Sequence, residues 1–192
     1  MTQPFSVAVY CSSNDHIHKE YFEIATALGK ALAKRKWRLV YGAASVGLMG
    51  AVARGVHAGG GQVYGVIPHA LSELEITYKA CDELVRVETM RQRKMLMEEN
   101  ADAFIALPGG FGTLEEMLEI LVLKQLRYID RPIVLLNTRN YWTPLIALFE
   151  QMIEQGFVKP THRHLYKVVD TVEEALAYMA NYDPTEELSR TA

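Results

Sequence analysis

Cysteine is scarce in this 192-residue chain. Cys11 and Cys81 are too few for a disulfide framework and lack metal-ligand spacing, which fits a reducing compartment and an expected cytoplasmic location. Positive charge is not in excess: the formal net charge is -3, so there is no basic footprint for nucleic acid, and any bound anion has to be held locally. No apolar run approaches the roughly 20 residues of a membrane span, and Met-Thr-Gln-Pro is not a charged segment leading into an apolar one. Neither membrane nor export is therefore expected. The pair His162 and His164 has no Asp, Glu or Cys close by in sequence, so no metal site is expected, and nothing calls for a cofactor.

What is present is the composition of an ordinary globular domain, 49% hydrophobic and 22% charged. Short apolar or β-branched runs occur at Phe5 to Tyr10, Arg38 to Tyr41, Gln62 to Ile67, Leu84 to Val87, Ala103 to Leu107, Ile133 to Leu136 and Tyr166 to Val169. Helical patterns lie between them, near 17 to 35, 47 to 58, 89 to 100, 113 to 127, 142 to 155 and 171 to 182. Strands apolar on both faces and separated by helices predict a parallel sheet covered on both sides. The expectation is a single α/β domain, doubly wound and Rossmann-like, over 1–183, with a polar tail at 184–192.

In such folds ligands gather at the carboxyl ends of strands where strand order reverses. Three stretches there carry glycine or hydroxyl groups. "VYCSSN" offers Ser12 and Ser13 either to a phosphate or as caps for the next helix. "YGAASVGLMG", with Gly42, Ser45 and Gly47, reads equally as a phosphate loop or a tight packing turn; it matches neither a Walker A loop nor the dinucleotide fingerprint. "LPGGFGTLEE" runs a strand into a glycine turn and a helix, and unpaired N–H groups at such a start favour an anion. Glu115 and Glu116 then read either as dipole-favouring residues of the first turn or as chemical groups. Upstream, "ETMRQRKMLMEEN" is either an amphipathic helix with solvated arginines or a helix that aims a guanidinium at a phosphate or a base.

Together these motifs resemble the LOG ("Lonely guy") family. "PGGFGTLEE" fits its PGGxGTxxE signature, "MRQRKMLM" resembles its M-x-x-R-K helix at the right distance upstream, and "CSSN", "YGAASVGLMG" and "VYGVIP" follow the family's phosphate-side segments in order. The chain departs from the usual pattern at Ala43-Ala44, Cys11-Ser12-Ser13 and Arg91-Gln92. The resemblance implies a cytokinin riboside 5'-monophosphate phosphoribohydrolase, which cleaves an adenine-type nucleotide to free base and ribose 5-phosphate. It implies that Arg93 and Glu116 are catalytic, and that Glu75, Met90, Arg93, Lys94, Gly109, Gly110, Phe111, Gly112, Thr113, Leu114, Glu115 and Glu116 bind substrate. Ser12, Gly42, Ser45 and Gly47 fall on the phosphate side. The other reading is a non-catalytic carrier of a nucleotide or phosphorylated cofactor.

Breaking an N-glycosidic bond develops an oxocarbenium-like ribose and negative charge on the departing base. A carboxylate suits the first and a cation the second. Arginine, with a pKa above roughly 12, is a poor proton donor, so Arg93 is assigned to binding and charge stabilisation. Glu116 is assigned to the sugar cation and the attacking water. Gly110, Gly112 and Thr113 are left for the phosphate. Finally, the helix from Thr113 to Tyr128 carries Leu114, Met117, Leu118, Ile120, Leu121, Val122, Leu123 and Leu126, more apolar surface than one sheet covers. With the resemblance, this predicts a homodimer.

Overall fold

The computed structural model describes residues 4–74 and 77–184. Its elements alternate along the chain: β1 Ser6–Tyr10, α1 Lys19–Lys34, β2 Arg38–Tyr41, α2 Gly47–Ala58, β3 Val63–Pro68, α3 His69–Leu74, β4 Glu83–Val87, α4 Met90–Glu99, β5 Ala103–Ala106, α5 Phe111–Gln125, β6 Ile133–Leu136, α6 Thr143–Glu154, β7 Lys167–Val169 and α7 Val172–Ala180. The seven strands form one sheet in the order β4-β3-β2-β1-β5-β6-β7, and every pairing is parallel. Strand order reverses between β1 and β5, where Val9 lies opposite Ile105.

Parallel strands need helical crossovers, and these cover both faces of the sheet. On one face Val7, Val9, Leu39, Tyr41, Ile105 and Leu107 pack against α1, α2 and α7 through Leu28, Leu32, Val52, Val56 and Leu176. On the other, Tyr10, Val66, Phe104 and Leu135 pack against α4 and α5 through Met97, Met117 and Ile120, with Trp142 beside α6. The inner strands are buried apart from half-buried Arg38 at the start of β2, whereas β4 at the edge leaves Glu83 and Arg86 exposed. Charge on an edge strand discourages pairing with another chain.

Helix ends follow local chemistry. Thr89 with Gln92 and Thr171 with Glu174 each form a reciprocal capping box. Two elements differ from expectation. The six-residue α3 directly after Pro68 is too short for periodicity to reveal. Helix α5 begins at Phe111 rather than Thr113, because extended Gly110 serves as its N-cap and the helix takes in Phe111 and Gly112. The apolar helix α6 buries none of its own residues.

Candidate active site

The β1 and β5 loops meet at the reversal of strand order. Leu107 N–H donates to the Tyr10 carbonyl at 2.9 Å and Ser12 N–H to the Pro108 carbonyl at 3.3 Å, which fixes the two strand ends side by side. Above them opens a cavity of about 400 Å³, lined by Ser12, Arg93, Gly110, Gly112, Thr113 and Glu116 among others.

One wall is the start of α5. The N–H groups of Phe111, Gly112 and Thr113 have no acceptor one turn back in the helix, and no side chain caps them. Three unpaired N–H donors at the positive end of a helix dipole are the kind of environment that favours an anion. The Ser12 hydroxyl accepts from Asn14 N–H at 3.0 Å and so shapes the β1 loop; it does not cap α1, whose N-cap is His18.

Arg93 on α4 and Glu116, one turn further along α5, also line the cavity. The capping box at Thr89 sets the start of α4 and turns Arg93 inward. Both side chains are about nine-tenths buried, and Arg93 Nη1 lies 2.7 Å from Glu116 Oε1. Arg93 Nε also donates to the Val66 carbonyl at 3.3 Å, anchoring the guanidinium to β3. Gly42 makes the space for it, because a Cβ there would lie 1.6 Å from Arg93 Nη2. Burial pushes the Glu116 carboxyl above its ordinary range, and the guanidinium pulls it partly back. A carboxylate with raised proton affinity at a cavity wall is equipped to act as a base. Glu116 is the sixth residue of α5, beyond the first turn, so attraction to the helix dipole does not account for it.

These features have relatives. A family model described as "Possible lysine decarboxylase" matches residues 49–179. A probable cytokinin riboside 5'-monophosphate phosphoribohydrolase of Oryza sativa subsp. japonica is 44% identical over 181 residues, covering 94% of this chain and 74% of that protein. A cytokinin riboside 5'-monophosphate phosphoribohydrolase of Arabidopsis thaliana is 40% identical over 178 residues, covering 93% and 78%. The chain belongs to the LOG family. Among solved structures, the molybdenum cofactor carrier protein of Chlamydomonas reinhardtii superposes with a TM-score of 0.71 at 22% identity, covering 97% of this chain and 99% of that one, a likeness of fold alone.

Within this LOG chain the structure gathers only some of the residues expected at the site. Ser12, Met90, Arg93, Gly110, Gly112, Thr113, Glu115 and Glu116 line the cavity, and Gly42 lies behind it. Lys94 is turned to a neighbouring groove between α4 and α5, where its Nζ meets Glu115 Oε1 and, at 2.7 Å, Glu119 Oε2. Leu114 is partly buried against the core, Phe111 is 93% exposed, and Gly109 is not in the cavity lining. Ser45 and Gly47 are not in the cavity lining either; Gly47 N–H donates to Asp15 Oδ1 at 2.8 Å and the next two N–H groups donate to the Ser12 carbonyl, so the α2 start is closed by the chain itself. Glu75 lies outside the described residues.

Other site residues went unanticipated. Met49 and Leu71 line the cavity but read in sequence as ordinary core residues. Outside the cavity lining, His57 on α2 joins Tyr78 (Nδ1 to Oη, 2.8 Å) and Asp82 (Nε2 to Oδ2, 3.1 Å), tying those two residues to α2. Cys11 also lines the cavity; burial pushes its thiol far above the ordinary range, so it stays protonated.

Proposed function

We propose that the cavity binds an adenine-type nucleoside 5'-monophosphate, a cytokinin ribotide or AMP, and that the protein hydrolyses its N-glycosidic bond to free base and ribose 5-phosphate. The observation that carries this reading is the buried Arg93–Glu116 pair lining the same cavity as an uncapped helix start. The 5'-phosphate meets the N–H groups of Phe111, Gly112 and Thr113, which places the ribose between that cradle and Glu116. As the bond from C1' to the base nitrogen breaks, its electron pair leaves with the purine and positive charge grows on the sugar, where the Glu116 carboxylate offsets it. Water adds its oxygen to C1', and Glu116 takes the released proton, which passes on to the departing base. Arg93 orients Glu116 and balances charge on the leaving group without giving up a proton.

A lysine decarboxylase would need a lysine free to hold pyridoxal phosphate. Among the described residues no lysine lines the cavity, and Lys94 is engaged by two carboxylates, so these residues do not fit that cofactor. A passive carrier has no use for a buried carboxylate beside its anion cradle. The test is to incubate the purified protein with AMP, its N6-isopentenyl analogue, GMP and CMP and to follow free base. Release from the adenine nucleotides is expected, and tight binding with no release from any of them would favour a carrier.

The protein is further proposed to act as a homodimer. Helix α6 buries none of its own residues, and Val122, Leu126, Leu148 and Met152 leave apolar surface exposed on α5 and α6. Sedimentation at micromolar concentration should show twice the chain mass. No helix among the described residues is long and apolar enough to cross a membrane.

A further inference from the structure

The turn after β6 contains two consecutive non-glycine residues in the left-handed region, Arg139 at φ 57° and Asn140 at φ 58°. Side chains disfavour that conformation, and residues kept in it cluster where surrounding structure holds them for a purpose. Here the hold is visible on both sides. Asn137 Oδ1 accepts from the N–H of buried Trp142 at 2.7 Å, and Arg139 Nη1 reaches Glu20 Oε2 on α1 at 2.6 Å. The product of the turn is the placement of Tyr141. Its ring stands edge-on to Tyr21 (centroids 6.2 Å apart, 79° between planes) and to Trp142 (5.0 Å, 84°). Its hydroxyl donates to the Gly109 carbonyl at 2.6 Å.

That carbonyl belongs to the same peptide unit as the Gly110 N–H. In a planar trans peptide the two groups point in opposite directions, so fixing one aims the other. Gly110 lines the cavity and is the N-cap of α5, so the peptide that joins it to Gly109 is the last unit before the helix whose first N–H groups are uncapped. Glycines at 109, 110 and 112 leave this turn with few side-chain restraints of its own, so an outside anchor matters more.

We infer that Tyr141 is a positioning residue for phosphate recognition: its hydroxyl, delivered by the strained Thr138–Asn140 turn, locks the Gly109–Gly110 peptide so that the α5 start is preset for a phosphate monoester. The inference rests on the reading of that start as the 5'-phosphate cradle. Tyr141→Phe removes the hydroxyl and keeps the ring contacts. In the full-length protein, ribose 5-phosphate affinity by calorimetry and kcat/KM for AMP should each fall roughly fivefold, the scale of one hydrogen bond. Cleavage of adenosine, which has no phosphate, should stay within about twofold of the parent on the same scale. An unchanged affinity for ribose 5-phosphate, or equal losses for AMP and adenosine together with a lower melting temperature, would overturn the inference and leave Tyr141 a packing residue. A parent protein that handles AMP and adenosine alike would remove the cradle itself, and because that is read on the parent alone the two failures are distinct.

Discussion

Two strand–glycine–helix junctions lie near each other in this molecule and read alike in sequence, yet one is closed and the other open. At the start of α2, Gly47 sits at φ +59°, its N–H is taken by Asp15, and the Ser12 carbonyl takes the next two. At the start of α5, Gly110 is extended and no side chain caps the first turn. A glycine turn before a helix is therefore an anion site only where the chain leaves its donors unspent. The α2 junction is a structural seam: its glycine allows backbone contact, since a Cβ at Gly47 would lie 2.4 Å from the Ser13 carbonyl carbon. The α5 junction, with open space around Gly110 and Gly112, can receive a ligand.

The largest expected effect probes the open junction. Glu116→Gln keeps an acceptor for Arg93 Nη1 but removes the charge, so base release should drop by at least ~100-fold while nucleotide affinity changes little. Stability should fall by up to about 3 kcal/mol, because the buried Arg93 keeps an acceptor but loses its counter-charge. Single-turnover adenine release beside a thermal melt measures both. Parental turnover in this variant would remove Glu116 from the chemistry.

Arg93→Ala should weaken binding and turnover together, and at neutral pH it should also destabilise the fold by about 3 kcal/mol, because it strands a buried carboxylate. The sign of the pH dependence follows from the raised Glu116 carboxyl. A folded-state value above the unfolded one means that the native protein binds the extra proton, so this group contributes best at low pH and its contribution is lost as pH rises through the folded value. Without Arg93 that value rises further, and the deficit should shrink on acidification from neutral toward the ordinary carboxylate range. Melting curves across that range decide it; a deficit that grows on acidification would contradict the pairing.

A direct contrast of the two junctions comes from one added methyl group in each. Gly47→Ala meets both a left-handed φ and neighbouring backbone, and should cost ~1–3 kcal/mol in melts. Gly112→Ala meets nothing and should melt no lower than the parent, while its methyl crowds the cavity and raises KM for AMP. The reverse pattern would mean that the junctions have been assigned the wrong way round. The smallest effect belongs to Ala43→Gly. Ala43 is held at φ 61°, so glycine should relieve the turn and raise stability by at most ~1 kcal/mol, seen as a slightly higher melting temperature.

The sheet was legible because each inner strand is an unbroken apolar run, and parallel pairing follows from the helices between. The Arg93–Glu116 constellation was suggested only by motif, since spacing along the chain does not say that α4 and α5 face each other. What sequence concealed were relations across the fold. Gly42 read equally as part of a phosphate loop or of a tight packing turn, with no hint in sequence that its missing Cβ makes room for a guanidinium that arrives from α4. Glu115 and Glu116 looked like first-turn residues because Gly-Phe-Gly reads as loop, and a glycine N-cap moved the helix start ahead of them. Tyr141 carried no signal at all, because nothing in Asn-Tyr-Trp announces a strained turn or the carbonyl it reaches.

Cys11 offers a built-in clock for the folded cavity. Its sulfur sits in the lining but is buried and held protonated, so a thiol reagent in solution finds no nucleophile there until the strand end is uncovered. Half-buried Cys81 is nearer to solvent and should be modified first. The slower of two labelling phases therefore times how often the end of β1 breathes open, and a nucleotide that fills the cavity should lengthen that interval.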